Sequence, residues 1–341
     1  MSIAHCFLLL PLGKLLRNIH SSIFLQVNTE KNINNEALRS LVDLSKEMNS
    51  AAIDLAFTPP LLRCILSWLY PFTKHARMFN FLMRRVQNTV ESRRSGQNTQ
   101  NADLLQVLID VQPYGCNKIL QGSVNREKHF SDQQIFSNVV IFMFAGFEAM
   151  SSALSFSIYL LAKHASEQEA ILREWNERFP DKSVREVTFE EVRQLKRLDM
   201  VVKECLRLYP PVPVVVVRRC LQDTVVSGQF IPAGINVAGC PWLIHRDSDI
   251  WPNPEVFCPE RFAEGATKQK RGAYFPFGLG PRVCPFKELA LITLKCALLR
   301  LLISCTLKLT GDSAGEVQAC ARSMTLVPER GIHIKLDRRM V

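Results

Sequence analysis

Apolar residues recur along much of this chain at intervals of three and four, the spacing of one helix face. In EALRSLVDLSKEMNSAAIDLAF they fall at 38, 41, 42, 44, 48, 52, 53 and 55, and Pro59 and Pro60 end the run. A second helical run covers 61–94 with a break near Pro71, so residues 15–112 read as largely helical, with SRRSGQNTQNAD (92–103) as a polar loop. DLLQVLID (103–110) predicts a short helix, and 112–130 predicts another loop.

The pattern then changes. SDQQIFSNVVIFMFAGFEAMSSALSFSIYLLAKH (131–164) opens with a capping box, Ser131 and Gln134, and is apolar on every face. Such a helix is either a membrane span or the central helix of a large fold. Residues 135–162 are long enough to span, and Glu148 would then sit near mid-bilayer. Two more helices follow, 167–179 and 187–210, and PPVP stops the second. Next come β-like pieces at 214–219, 224–234 and 235–239, with IPAG as a turn. HRDSDIWPNPEVFCPERF (245–262) has three prolines and little periodicity. An apolar helix is predicted from 286 to about 304, and two strands within 323–336. The fold class is mainly α with a small β region towards the C-terminus.

Composition refines this only in part. A chain of 341 residues allows two domains or one large one. With 47% hydrophobic and 22% charged residues, a large core is expected and wholesale disorder is not. The net charge of +10 arises without a block of like charge, so it predicts an ordinary basic surface and disfavours nucleic acid as a partner. Eleven cysteines are widely spaced with no CxxC pair, which argues against a zinc ribbon or disulfide framework and for a reducing compartment. The N-terminus, MSIAHCFLLLPLG, is too short to span a bilayer and lacks a basic leader.

One cysteine stands in unusual surroundings. In AYFPFGLGPRVCPFKELA, Cys284 follows Arg282 by two residues and directly precedes a helical pattern. Inward-pointing backbone N–H groups, the positive end of a helix and an arginine all lower a thiol pKa. Gly278 and Gly280 allow a flat object to approach the backbone. A thiolate as sole strong protein ligand fits a metal whose other positions are already filled, as in haem iron. The plainer reading, a buried structural cysteine, wins for an arbitrary cysteine.

The flanking residues change that balance. Phe277, Gly280, Arg282 and Cys284 resemble the Phe-x-x-Gly-x-Arg-x-Cys signature of the cytochrome P450 superfamily. Glu204 and Arg207 in KECLRLYP resemble its Glu-x-x-Arg pair, and Arg261 in PERF its third partner. AGFEA (145–149) resembles the oxygen-groove motif, and all of these fall in the family's order. The likeness covers 131–341 strongly and the preceding helices weakly, and is nearest to eukaryotic, fungal-type microsomal members. It implies a P450-type fold lacking its N-terminal part. The single domain 1–341 would comprise N-terminal helices, 1–130, and a haem-binding core, 131–341.

The same resemblance implies a haem-dependent monooxygenase acting on a lipophilic small molecule. Cys284 would be the metal ligand of haem b, with Phe277 and Gly280 in the cofactor loop. Arg282 and Arg218 would pair with the propionates, and Arg219 competes with Arg218 for that role. Glu148 and Ala149 would be the catalytic pair of the groove, Glu148 delivering protons. Glu204, Arg207 and Arg261 would form a structural triad. Val212–Val217 and Met324–Val327 would line the substrate pocket. Electrons would come from an NADPH-dependent flavoprotein reductase meeting a basic face around Lys287 and Lys295. The implied place is the cytosolic face of the endoplasmic reticulum membrane, with a membrane surface as a further partner.

Three departures from the family pattern shape the alternatives. Ala149 stands where the groove motif ends in threonine, and Ser152 offers a hydroxyl one helical turn further on. That favours a haem-thiolate isomerase or dehydratase needing no oxygen. Phe286 stands where glycine is usual, and overpacking there costs about 1–3 kcal/mol. Roughly the first third of a usual member, including a helix with a haem-contacting Trp, has no counterpart; Trp68, Trp175, Trp242 and Trp251 lie in other contexts. The last two favour a non-catalytic remnant. A membrane-spanning protein built on 135–162 is the remaining alternative.

Overall fold

The computed structural model describes residues 74–95, 104–110, 131–180, 187–214, 216–266, 272–321 and 324–339. The readings of the N-terminus, of the helix over 36–57 and of the loop 112–130 lie outside them. The described residues fall into two compact units, divided between Glu148 and Ala149.

In the N-terminal unit, α1 (Lys74–Arg94), α2 (Leu104–Asp110) and the first half of α3 (Asp132–Lys163) share a small core. Leu82, Val86 and Val90 of α1 meet Leu105 of α2 and Ile135, Val139 and Val140 of α3. The spacing of four from Leu82 to Val86 to Val90, and from Ile135 to Val139, places each series on one helix face. The predicted capping box opens α3: Gln134 N–H donates to Ser131 Oγ at 3.3 Å, and Ser131 N–H to Gln134 Oε1 at 2.9 Å. Asp132 and Arg94 form a two-bond ion pair, at 2.8 and 3.0 Å.

The C-terminal unit begins with the second half of α3, where Leu154, Phe156, Ile158, Tyr159 and Leu161 are buried. Among the described residues α3 is the helix long and apolar enough to cross a membrane. Protein covers part of its apolar surface in each unit. The C-terminal unit continues with α4 (Ala165–Arg178), α5 (Phe189–Gln194), α6 (Lys196–Leu208), the single turn α7 (Pro241–Ile244) and α8 (Lys287–Ser304), of which α6 and α8 pack against each other and against α4. Residues 187–210 do not form the one helix expected. Leu195 takes extended backbone (φ −79°, ψ 98°) and separates α5, which Thr188 and Glu191 cap reciprocally, from α6.

The strands pair in four antiparallel ribbons. β1 (Val216–Arg219) pairs with β4 (Asn236–Gly239), and β2 (Thr224–Val226) with β3 (Gln229–Ile231). β5 (Cys305–Leu309) pairs with β8 (Ile334–Arg338), and β6 (Ala319–Ala321) with β7 (Leu326–Pro328). The predicted piece 224–234 is therefore a hairpin, turned at Ser227 and Gly228 with φ of 49° and 81°. Two consecutive positive φ values suit the right-handed twist of the flanking strands. Buried Gln168 ties the layers together. Its side-chain amide donates to Leu161 O and Leu307 O, and its oxygen accepts from Leu307 N–H at 2.9 Å.

Candidate cofactor-binding site

Residues 273–286 form a loop that ends where α8 begins. Gly278 and Gly280 have φ of 79° and 74°, the left-handed region that excludes most side chains. These two turns fold the loop back so that Cys284 N–H donates to Phe277 O at 2.9 Å. Gly278 N–H donates to Phe275 O, and Gly280–Arg282 form a 3-10 turn. Cys284 is half-buried; Arg282 is exposed, as are the apolar side chains of Leu279 and Val283. Phe286 is the N-cap of α8 with φ −103° and ψ 18°. That backbone conformation needs no glycine, so the phenylalanine brings no backbone strain with it.

Arg218 and Arg219 separate. The Arg218 guanidinium donates to Leu279 O at 3.2 Å and to Val217 O at 2.9 Å, so it reaches the cysteine loop from β1. Arg219, the next residue on the strand, points to the other face. Its guanidinium lies beside Gly234, 3.9 Å from where a Cβ would stand. Leu326, in one of the segments expected to line the pocket, donates its N–H to the O of Pro211, which immediately precedes the other, at 2.7 Å. Val214, Val217 and Met324 are exposed on these segments. Ser152 is buried, and its hydroxyl donates to Leu326 O at 2.6 Å, which commits it to a backbone carbonyl.

Beneath the loop lies an ionic centre. Glu204 and Arg207 on α6 are both 0% exposed and pair at 2.7 and 2.8 Å. Arg261 approaches Glu204 at 3.4 Å and donates to Asn253 O. The remaining bonding capacity of the pair is used by backbone. Arg207 donates to His245 O and Val256 O, and Glu204 accepts from Cys258 N–H. The Trp251 ring lies under the Arg207 guanidinium at 5.3 Å. The structure thus brings Glu204, Arg207 and Arg261 together, with Arg218 at the loop that carries Phe277, Gly280, Arg282 and Cys284. Glu148 and Ala149, both partly buried, are the last residue of one unit and the first of the next.

Lys295 does not belong to a basic face. It is buried and paired with Asp199, which Lys203 also contacts at 2.6 Å. Burial pushes the Asp199 carboxyl up, and the two lysines more than offset this, holding it below its ordinary range. Lys287 remains exposed.

A residue the sequence pattern did not single out is His245, which is fully buried. Its Nε2 accepts from Phe275 N–H at 3.0 Å, and Nδ1 faces Arg207 O at 3.2 Å. The proton therefore sits on Nδ1. Burial, with the Arg207 and Arg246 charges, pushes its pKa down to about 4, against the pull of the bond to Arg207 O. A lone histidine in a proline-rich stretch carries no periodic signal, so only the fold reveals its partners.

The donor set suits haem. Among the described residues no three His, Cys, Asp or Glu side chains cluster as ligands for a bare ion. A metal already held in a porphyrin ring needs one protein ligand, and the cysteine loop offers a single half-buried thiol. Exposed apolar side chains and two arginines on the same loop and strand match a flat apolar ring with two carboxylates. The described cysteines are all free thiols.

Comparison with known proteins agrees. Residues 8–336 match the profile of the family described as cytochrome P450. Cytochrome P450 3A12 of Canis lupus familiaris is 33% identical over 287 residues, which cover 83% of this chain and 54% of that protein. Cytochrome P450 3A5 of Homo sapiens is 32% identical over 324 residues, covering 91% and 62%. The chain thus spans between about half and three-fifths of these relatives' length. Among solved structures, the retinoic acid-bound cyanobacterial CYP120A1 superposes with a TM-score of 0.76 at 24% identity, covering 96% of this chain and 69% of that one. The cytochrome P450DA heme domain gives 0.75 at 23% identity. These two establish the fold.

Proposed function

This chain belongs to the cytochrome P450 family, and on that premise we propose that it binds haem b through Cys284 and oxidises a lipophilic small molecule. The observation that carries the reading is the closed loop: Cys284 N–H bonded to Phe277 O, two left-handed glycines, and Arg218 reaching in from β1. Bound haem would supply oxygen chemistry in which one atom of O2 enters the substrate and the other leaves as water, with two electrons and two protons. The protein's own residues hold and orient. Phe277 and Gly280 shape the loop, Cys284 supplies the thiolate, and Arg218 and Arg282 pair with the propionates. Glu204, Arg207 and Arg261 fix the ground on which the loop stands. Glu148 carries protons along α3, beside Ala149.

Electrons come from an NADPH-dependent flavoprotein reductase, and Lys287 is a contact for it that Lys295 is not. Val212–Val217 and Met324–Val327 face the substrate, and both units form one domain. The protein works at the cytosolic face of the endoplasmic reticulum membrane. A second reading, a haem-thiolate isomerase or dehydratase that needs no O2, is favoured by one observation. Ala149 has no hydroxyl, and that of Ser152, one turn further along α3, is bound to Leu326 O.

The test is the carbon monoxide difference spectrum of the reduced, haem-supplied protein. A strongly red-shifted Soret band, abolished in Cys284→Ala, supports the reading. Soluble protein without any haem band sinks it.

A further inference from the structure

We propose that His245 is the positioning residue for Cys284: its imidazole latches the entry of the cysteine loop onto the Glu204–Arg207 centre. As a role in haem ligation this rests on Cys284 being the ligand. The supporting geometry is a continuous path. Arg207 and His245 are joined twice, by Nδ1 to Arg207 O at 3.2 Å and by the Arg207 guanidinium to His245 O at 2.7 Å. Nε2 then accepts from Phe275 N–H at 3.0 Å. Phe275 O accepts from Gly278 N–H, and Phe277 O accepts from Cys284 N–H. Every link from α6 to the thiol is thus one bond or a few residues long.

The triad residues themselves hold other chain segments. Their bonds go to the backbone of His245, Asn253, Val256 and Cys258. Two side-chain bonds tie the loop entry to α6: His245 to Phe275 N–H, and the Tyr274 hydroxyl to Lys203 O at 3.0 Å. The imidazole is held rigidly for this task. It stacks on Tyr274 at 5.3 Å and is met edge-on by Phe275 and Trp251. A buried backbone N–H such as that of Phe275 needs an acceptor, and the imidazole supplies it in an aromatic cage that excludes water.

The experiment compares the wild type with His245→Phe, which keeps a ring but no acceptor, and His245→Gln, whose amide oxygen can still accept at the Nε2 position. Two readouts are taken: amide hydrogen exchange of residues 273–286, with α8 as internal control, and the carbon monoxide spectrum. His245→Phe should speed exchange in the loop at least tenfold while α8 changes less than threefold. It should also shift most of the haem signal from the thiolate band to a shorter-wavelength band. His245→Gln should restore most of both. Loop exchange unchanged in His245→Phe overturns the proposal, as does equal speeding of loop and α8, which is simple unfolding. No rescue by His245→Gln also overturns it. A wild type without a thiolate band sinks the haem reading and with it the ligation role, while the exchange comparison still decides whether His245 orders the loop.

Discussion

At the scale of single residues, the buried groups make the sharpest demands. Glu204 and Arg207 are fully buried, and their remaining bonding capacity goes to backbone of the 245–258 segment. Removing one partner leaves an uncompensated charge, so Glu204→Ala should lower unfolding free energy by about 3–5 kcal/mol in urea titration. Arg218 and Arg219 are adjacent yet unequal. Arg218→Ala should weaken haem retention roughly tenfold, the worth of a lost charge-assisted bond, and Arg219→Ala should change it little; equal effects would contradict the assignment of Arg218. His245 gives a pH dependence of definite sign. The folded protein holds it neutral with a pKa of about 4, below the ordinary 6.5, with Arg207 and Arg246 as the cations that face it and Tyr274 as the titratable ring against it. Stability from this residue is therefore full above about pH 6.5, is lost as pH falls towards 4, and is flat below; the span is about 3 kcal/mol. Urea midpoints measured against pH should fall more steeply for the wild type than for His245→Gln within that window.

At the scale of elements, periodicity and capping identified most helices. The pattern over 131–164 gave α3 and its Ser131–Gln134 box, and Ser131→Ala should cost about 1 kcal/mol. The hairpin at Ser227 and Gly228 escaped notice because a two-residue turn between short apolar runs looks like one longer run. The break at Leu195 escaped notice because the apolar pattern continues across it. Phe286 shows the reverse. Set against the family pattern it stands in the place of a glycine, but its backbone at φ −103° suits any residue. Phe286→Gly should therefore lower the melting temperature rather than raise it, since it removes a partly buried ring and adds backbone freedom. A higher melting temperature would show that the ring is overpacked.

At the scale of the whole molecule, the reaction class turns on α3. With reductase, NADPH and oxygen, the monooxygenase reading expects product, yet with much of the electron flow lost as peroxide because Ala149 offers no hydroxyl. Ala149→Thr should raise product formed per NADPH at least threefold. Peroxide turnover without NADPH, unaffected by Glu148→Gln, would instead favour the isomerase reading.

Sequence alone determined what depends on neighbours along the chain. Helix periods, caps and stops are local, and the order of the Glu204, Arg207, Arg261 and Cys284 motifs carries the family without any contact being known. Tertiary structure decided what depends on which side of an element a residue faces and what it meets there. It separated Arg218 from Arg219, withdrew Lys295 into an ion pair, bound the Ser152 hydroxyl to Leu326, and placed His245 between α6 and the cysteine loop. The physical reason is range. A hydrogen bond or ion pair between residues 30 to 174 positions apart leaves no periodic trace, because either partner alone is an ordinary polar residue until burial removes water and makes the other one necessary.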